Sequence, residues 1–294
     1  MERLLKDYSY YLRIERKMSP NTVQAYCSDV KDFLEQSGTA AAQVGPQQII
    51  GYFGERSAVL SKRSQARVLS SLRSFFDWMI LDGLISANPC DKVDAPKLGK
   101  YLPEVLSVEE VGAILGSVKD TGEAGLRDQA ILEVLYGCGL RVSEVCSLKI
   151  SCIYLEENFL RIIGKGNKER LVPFAPLTAD ALRNWLEARP RAAAPQWDDF
   201  VFLNRFGKPL SRVSVFSLVK KYALAAGVTK DISPHTFRHS FATHLIENGA
   251  DLRVVQEMLG HESILTTEIY THIDSRTWQA SILQHHPRRF KKLD

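Results

Sequence analysis

Residues 231 to 272 place His235, Arg238, His261 and Tyr270 within one stretch of the chain, an unusual density of groups able to act on a phosphate. Ser233 followed by Pro234 reads as a helix cap with proline at the first helical position. Phe237, Phe241 and Leu245 recur every four residues and supply the buried stripe. His235 and Arg238, three apart, then share one face in the first turns. There the free backbone N–H groups and the positive end of the helix dipole favour an anion. Gly249 and Gly260 break the remainder of the stretch into short helices, His261 comes directly after a chain reversal, and Tyr270 lies nine residues further on. The combination reads as a phosphate site with a nucleophile attached.

Transesterification at a phosphodiester needs a nucleophile, positive charge around the pentacoordinate phosphorus and a proton donor for the leaving oxygen. A metal held by clustered carboxylates often supplies part of this. Here Glu247, Asp251, Glu257, Glu262 and Glu268 show no ligand spacing, and His235, His239 and His244 are not spaced as zinc ligands. No metal site is expected. Arginine is the alternative, because it stays charged and meets two phosphate oxygens at once. A free phenol, with pKa near ~10, is ionised in about one molecule per thousand at neutral pH, so Tyr270 needs a base and nearby cations. Loss of one clamping arginine should cost roughly 3–4 kcal/mol of transition-state stabilisation. One ester replaces another of similar energy, so neither ATP nor any other cofactor is expected.

Around this stretch the sequence predicts a mainly α protein with a small β-sheet and hairpin, in two domains. Residues 1–86 read as helices only: Val23, Tyr26, Val30 and Phe33 mark one, a weaker candidate covers 47–55, and SKRSQARVLSSLRSFFDWMILDG from Ser61 is the strongest. Its apolar face is Val68, Leu69, Leu72, Phe75, Phe76, Met79 and Ile80, with Arg63, Arg67, Ser70 and Ser74 opposite. From Arg56 to Phe76 inclusive there are five basic residues and no acid. That makes Lys62, Arg63, Arg67 and Arg73 candidate DNA contacts, against the alternative of a solvated basic face. Residues 87–104 hold three prolines and three lysines without helical period and read as a linker. A catalytic domain is expected over 105–274. It opens on a capping box, Ser107 with Glu110, and continues through an apolar helix at 126–136 to a turn at Gly137-Cys138-Gly139. A short helix comes next, with Arg141 at its start. KISCIYL, NFLRII and RLVPF then read as strands, with Lys165 in the GKGNKE turn between the last two, before helices at 178–189 and 211–226.

The bulk properties agree with a globular, cytoplasmic protein. The 294 residues are 45% hydrophobic and 24% charged, with net charge +4, no apolar run of membrane-spanning length, and five scattered cysteines that read as reduced thiols.

GLRVSEV, the IIGKGNKER hairpin, HTFRHSFATHLIENGADLRVVQEMLGH and TTEIYTH resemble the tyrosine recombinase (lambda-integrase-like) family over essentially the whole chain, and within it the bacterial Xer recombinases. The HHPR string near the C-terminus is more similar to the XerD branch than to XerC. The family pattern Arg…Lys…His-x-x-Arg…His…Tyr is filled in order by Arg141, Lys165, His235, Arg238, His261 and Tyr270. The resemblance implies that Arg141 and Arg238 clamp the non-bridging oxygens. Tyr270 attacks phosphorus to give a 3′-phosphotyrosine, and Lys165 protonates the departing 5′ oxygen. His235 acts as acid/base beside the tyrosine, and His261 hydrogen-bonds the phosphate. It further implies an N-terminal SAM-like core-binding bundle and four protomers on two duplexes, exchanging strands through a Holliday junction. The segment 275–294 would contact a neighbouring protomer.

The implied substrate is double-stranded DNA at a pseudo-palindromic, dif-like site. Chromosome or plasmid dimers would be resolved there for segregation, with a paralogous recombinase or self as partner and a DNA translocase as possible activator. Two other readings stand beside it: a phage- or transposon-type integrase with the same chemistry, and an architectural DNA-binding protein without catalysis. Glu262, Glu268 and Ser151-Cys152 depart from the residues commonest at those places, which bears on cleavage order more than on the chemistry.

Overall fold

The computed structural model describes residues 1–96, 104–164, 169–260 and 275–288, with side chains of 275–279 excepted. It divides into two compact units, Met1–Tyr101 and Leu102–Asp294. Among the described residues no helix is long and apolar enough to cross a membrane.

The first unit is four helices: α1 (Glu2–Ile14), α2 (Pro20–Ser37), α3 (Pro46–Arg56) and α4 (Lys62–Leu81). Ser19 and Ser61 cap α2 and α4 by accepting the backbone N–H of Thr22 and Ser64, as their positions in the sequence require. The core is aromatic. Tyr8 meets Phe75 edge-on at 5.1 Å, and Phe33 meets Tyr52 likewise at 5.3 Å. Two details of α4 differ from the sequence reading. Ile80 lies partly exposed instead of on the buried face. Ser74 is not on the solvent side, because it accepts the Tyr8 hydroxyl at 3.0 Å.

The second unit begins with α5 (Val108–Gly116), closed at its start by the reciprocal Ser107–Glu110 capping box. There follow α6 (Glu123–Gly137), α7 (Val142–Ser147), an antiparallel sheet of β1 (Ile153–Tyr154), β2 (Phe159–Ile163) and β3 (Glu169–Pro173) in that order, then α8 (Pro176–Ala188), α9 (Arg212–Ala225), α10 (Pro234–Glu247), α11 (Leu252–Leu259) and α12 (Ser275–His285). The first strand is shorter than the apolar run predicts. Ile150–Cys152 form a 3-10 turn, pinned by Asp199, which takes the Ser151 backbone N–H and hydroxyl, each at 2.9 Å.

Helix α6 lies almost wholly buried, from Ala130 to Gly137, and forms the centre of this core. Phe237, Phe241 and Leu245 of α10 are fully buried beside it. The C-terminal segment docks on the same core: Ile282 is fully buried, and Asn248 donates to the His285 carbonyl at 2.8 Å.

Candidate active site

The end of α11 organises the site. Asp251 caps its start, and Gly260 ends it in the left-handed conformation, φ 63°, that glycine adopts without strain. A helix C-terminus leaves carbonyls without intrahelical partners and carries about half a unit of negative charge. Three guanidinium groups from separate elements take up three consecutive carbonyls there. Arg170 Nε donates to Met258 at 2.8 Å, Arg238 Nη2 to Leu259 at 2.5 Å, and Arg141 Nη2 to Gly260 at 3.0 Å.

Arg238 comes from the second turn of α10 and is 7% exposed. Its other terminal nitrogen donates to the Gly139 carbonyl at 2.6 Å. Gly139 is required for that approach: at φ 58°, a Cβ would stand 2.5 Å from the Phe241 ring. The Gly137-Cys138-Gly139 turn predicted from sequence thus lets the chain close on α10. Burial, and next the repulsion of Arg141, push the Arg238 guanidinium down to about 9. The site holds this charge against a cost.

Arg141 is the residue before α7 and is 35% exposed, so part of its side chain faces solvent. Its position is fixed by Glu144, three residues on, which accepts the Arg141 backbone N–H at 2.9 Å and Nη1 at 3.0 Å. The same carboxylate receives both terminal nitrogens of Arg170, at 2.9 and 2.8 Å. Glu144 is 5% exposed. Burial raises its pKa, but the hydrogen bonds and charge of Arg170, with those of Arg141, outweigh it and hold the carboxyl below its ordinary range. Neither Glu144 nor Arg170 is among the residues that sequence reasoning selects. The available signal is Glu144 at the third helical position, where a carboxylate reaches back to the helix start.

His235 lies exposed in the first turn of α10, on the Arg238 side by helical spacing. Lys165, His261 and Tyr270 lie outside the described residues. Among the described residues no group of histidines, cysteines and carboxylates could hold a metal ion. In the first unit, Lys62, Arg63 and Arg67 are exposed on α4, and Arg67 pairs with Asp29. Arg73 is half-buried and donates to the Val93 carbonyl at 3.1 Å, which ties it to the chain leaving the bundle.

A fold with a helical first unit, a second unit of helices and a three-stranded sheet, and arginines gathered from Arg141 and Arg238 narrows the class sharply. Residues 104–276 match the phage integrase family and residues 5–83 its N-terminal SAM-like domain. Tyrosine recombinase XerD of Listeria monocytogenes serotype 4b (strain F2365) is 42% identical over 98% of this chain and 100% of its own length. Among solved structures, a crystal structure of XerA recombinase is 30% identical, covers 98% of this chain and 99% of that one, and superposes with a TM-score of 0.51. A lambda integrase tetramer bound to a Holliday junction shares the fold at a TM-score of 0.72 with 19% identity, over 89% of this chain and 77% of that one. The chain belongs to the phage integrase family and is a tyrosine recombinase, an enzyme that cuts and rejoins DNA strands.

Proposed function

We propose that this recombinase resolves chromosome or plasmid dimers at a dif-like, pseudo-palindromic site, using Tyr270 as nucleophile. The observation that carries the reading is the convergence of Arg141 and Arg238 on neighbouring carbonyls at the end of α11, immediately before His261 in the chain. Each arginine has five N–H donors, and among the described residues Arg141 and Arg238 each donate from two terminal nitrogens to protein, which leaves donors for a scissile phosphate. Tyr270 attacks phosphorus through its phenolic oxygen while His235 takes the hydroxyl proton. The bond to the 5′ oxygen breaks as Lys165 supplies a proton to it, and the strand remains as a 3′-phosphotyrosine. His261 donates to the phosphate. Attack by a partner strand's 5′-hydroxyl reverses the sequence. The ester bond is conserved throughout, so no ATP is consumed, and the arginine charges take the part that a metal ion plays elsewhere.

In this reading residues 1–86 form the core-binding domain, with Lys62, Arg63 and Arg67 against the phosphate backbone and Arg73 bracing the helix. Residues 87–104 link it to the catalytic domain at 105–274. Four protomers, of this chain alone or with a paralogue, hold two duplexes; the lambda integrase tetramer on a Holliday junction supports that stoichiometry by fold. The segment 275–294 reaches a neighbour when the tetramer forms. A DNA translocase as activator and a cytoplasmic site of action belong to the same reading.

The test is a nicked suicide duplex with purified protein in EDTA. A protein–DNA band that survives SDS and disappears in Tyr270→Phe is expected. A requirement for magnesium, or a covalent band with Tyr270→Phe, refutes the assignment.

A further inference from the structure

We propose that Arg170 is a positioning residue for strand cleavage, setting the orientation of Arg141 through Glu144 and the end of α11 through Met258; this rests on the reading of Arg141 as a phosphate clamp. Arg170 is the second residue of β3, opposite Ile162 of β2, and its side chain is 10% exposed. All three of its nitrogens are committed. Nη1 and Nη2 meet the two oxygens of Glu144 at 2.9 and 2.8 Å, and Nε donates to Met258 at 2.8 Å. The parallel pair fixes the plane of the carboxylate. The lone pairs left on Glu144 are those that receive the backbone N–H and Nη1 of Arg141, so the carboxylate plane dictates where Arg141 points. The stem of Arg170 also fills the space beside Gly260, where a Cβ would stand 3.3 Å from its Cδ. One guanidinium therefore joins α7, β3 and α11 around the two clamping arginines.

Remove Arg170 and Glu144 remains buried beside Arg141 alone. The carboxylate then draws Arg141 into fuller pairing and away from the phosphate. Lysine cannot substitute, because its single nitrogen cannot serve Met258 and both oxygens of Glu144 at once. The consequence falls on the transition state and not on DNA affinity, since Arg170 itself faces protein.

The full-length protein, with Arg170→Lys and Arg170→Met, is assayed on a nicked duplex built from the genomic fragment that the protein selects. At saturating DNA, single-turnover covalent capture should fall about 100-fold in both variants, the scale of a misplaced catalytic group. Affinity by gel shift should stay within about threefold of wild type. On a duplex whose scissile phosphate is replaced by a neutral methylphosphonate, there is less charge for Arg141 to balance. The deficit should there shrink at least tenfold. Glu144→Gln combined with Arg170→Met should cost no more than the worse single change, as residues acting as one unit do.

Several outcomes overturn the proposal: capture unchanged, capture reduced only in proportion to lost folded protein by thermal melt, an equal deficit on the methylphosphonate, or additive losses in the double variant. Arg141→Ala and Tyr270→Phe run alongside. If Tyr270→Phe still forms covalent product, the site reading itself fails. If both controls are dead while the Arg170 variants cleave as wild type, only the positioning role is lost.

Discussion

Replacing Glu144 by glutamine changes one oxygen for an amide and removes the single carboxylate that Arg141 and Arg170 share. The side chain is 5% exposed, so water cannot take over the lost bonds. Four hydrogen bonds end on its two oxygens, all from Arg141 or Arg170. An amide offers one acceptor and turns two N–H donors towards guanidinium donors. Removing one partner of a buried ion pair costs about 3–5 kcal/mol, because the other charge stays buried. For a unit of this size, each kcal/mol moves Tm by about 2–4 °C, so a fall of roughly 10 °C is expected at pH 7. The pH dependence gives the second check. Glu144 titrates below its ordinary value, so its stabilisation is complete above the usual carboxylate range and is lost as pH falls through the folded value. The gap in Tm between wild type and Glu144→Gln, followed by far-UV circular dichroism, should therefore narrow between pH 7 and pH 3.5. No gap at pH 7, or a constant gap down to pH 3.5, would refute the reasoning.

Other consequences are equally measurable. Tyr270→Phe should bind DNA with unchanged affinity while forming no covalent product; a large loss of binding would show that the hydroxyl serves to hold DNA. Arg63→Ala with Arg67→Ala should weaken binding and reduce the slope of log affinity against log salt, since each neutralised phosphate contributes roughly 0.9. An unchanged slope would return that helix face to solvent. His286 is fully buried against Tyr136 and Phe241 and accepts the Arg288 backbone N–H at 3.0 Å, and burial pushes its pKa down to about 3. With a folded value below the usual one of 6.5, its contribution is complete above pH 6.5 and drains away as pH falls towards 3. Between pH 6.5 and 5 the His286→Asn protein should lose stability less steeply than wild type, by up to about 1.4 kcal/mol per pH unit. Equal slopes in urea titrations would exclude His286 as an acid-sensitive group.

Local chemistry made much of this chain legible. Ser233-Pro234 and the Phe237, Phe241, Leu245 spacing specify both the start of α10 and the face it buries, because cap and stripe lie within one short stretch. Ser107 with Glu110 is equally local, and α5 follows from it; the apolar runs NFLRII and RLVPF likewise pair as β2 and β3. The failures have distant causes. The residues before β1 turn away from strand geometry because Asp199, far along the chain, takes the N–H and hydroxyl of Ser151. Ser74 leaves the polar face because Tyr8 of another helix reaches it. Glu144 and Arg170 escape notice for the same reason: each is an ordinary charged residue until α7, β3 and α11 meet.

The electrostatics of that meeting explain how three like charges are kept together. At an effective dielectric of about 20, two guanidinium charges at about 4 Å repel by roughly 4 kcal/mol. Glu144 offsets one of the three charges, and the end of α11 offsets about half of another. A positive excess remains, and through Arg141 it adds to burial, the larger cause, in driving the Arg238 guanidinium down to about 9. Sequence spacing locates the attraction for an anion at the start of α10; in the structure it resides in this excess, which the carbonyls of Met258, Leu259 and Gly260 only partly relieve. A phosphodiester supplies the missing negative charge, and the trigonal-bipyramidal state, with more charge on its equatorial oxygens, supplies it more fully. Preorganised positive charge of this kind favours the transition state over the ground state, because the guanidinium groups are already gathered before substrate arrives.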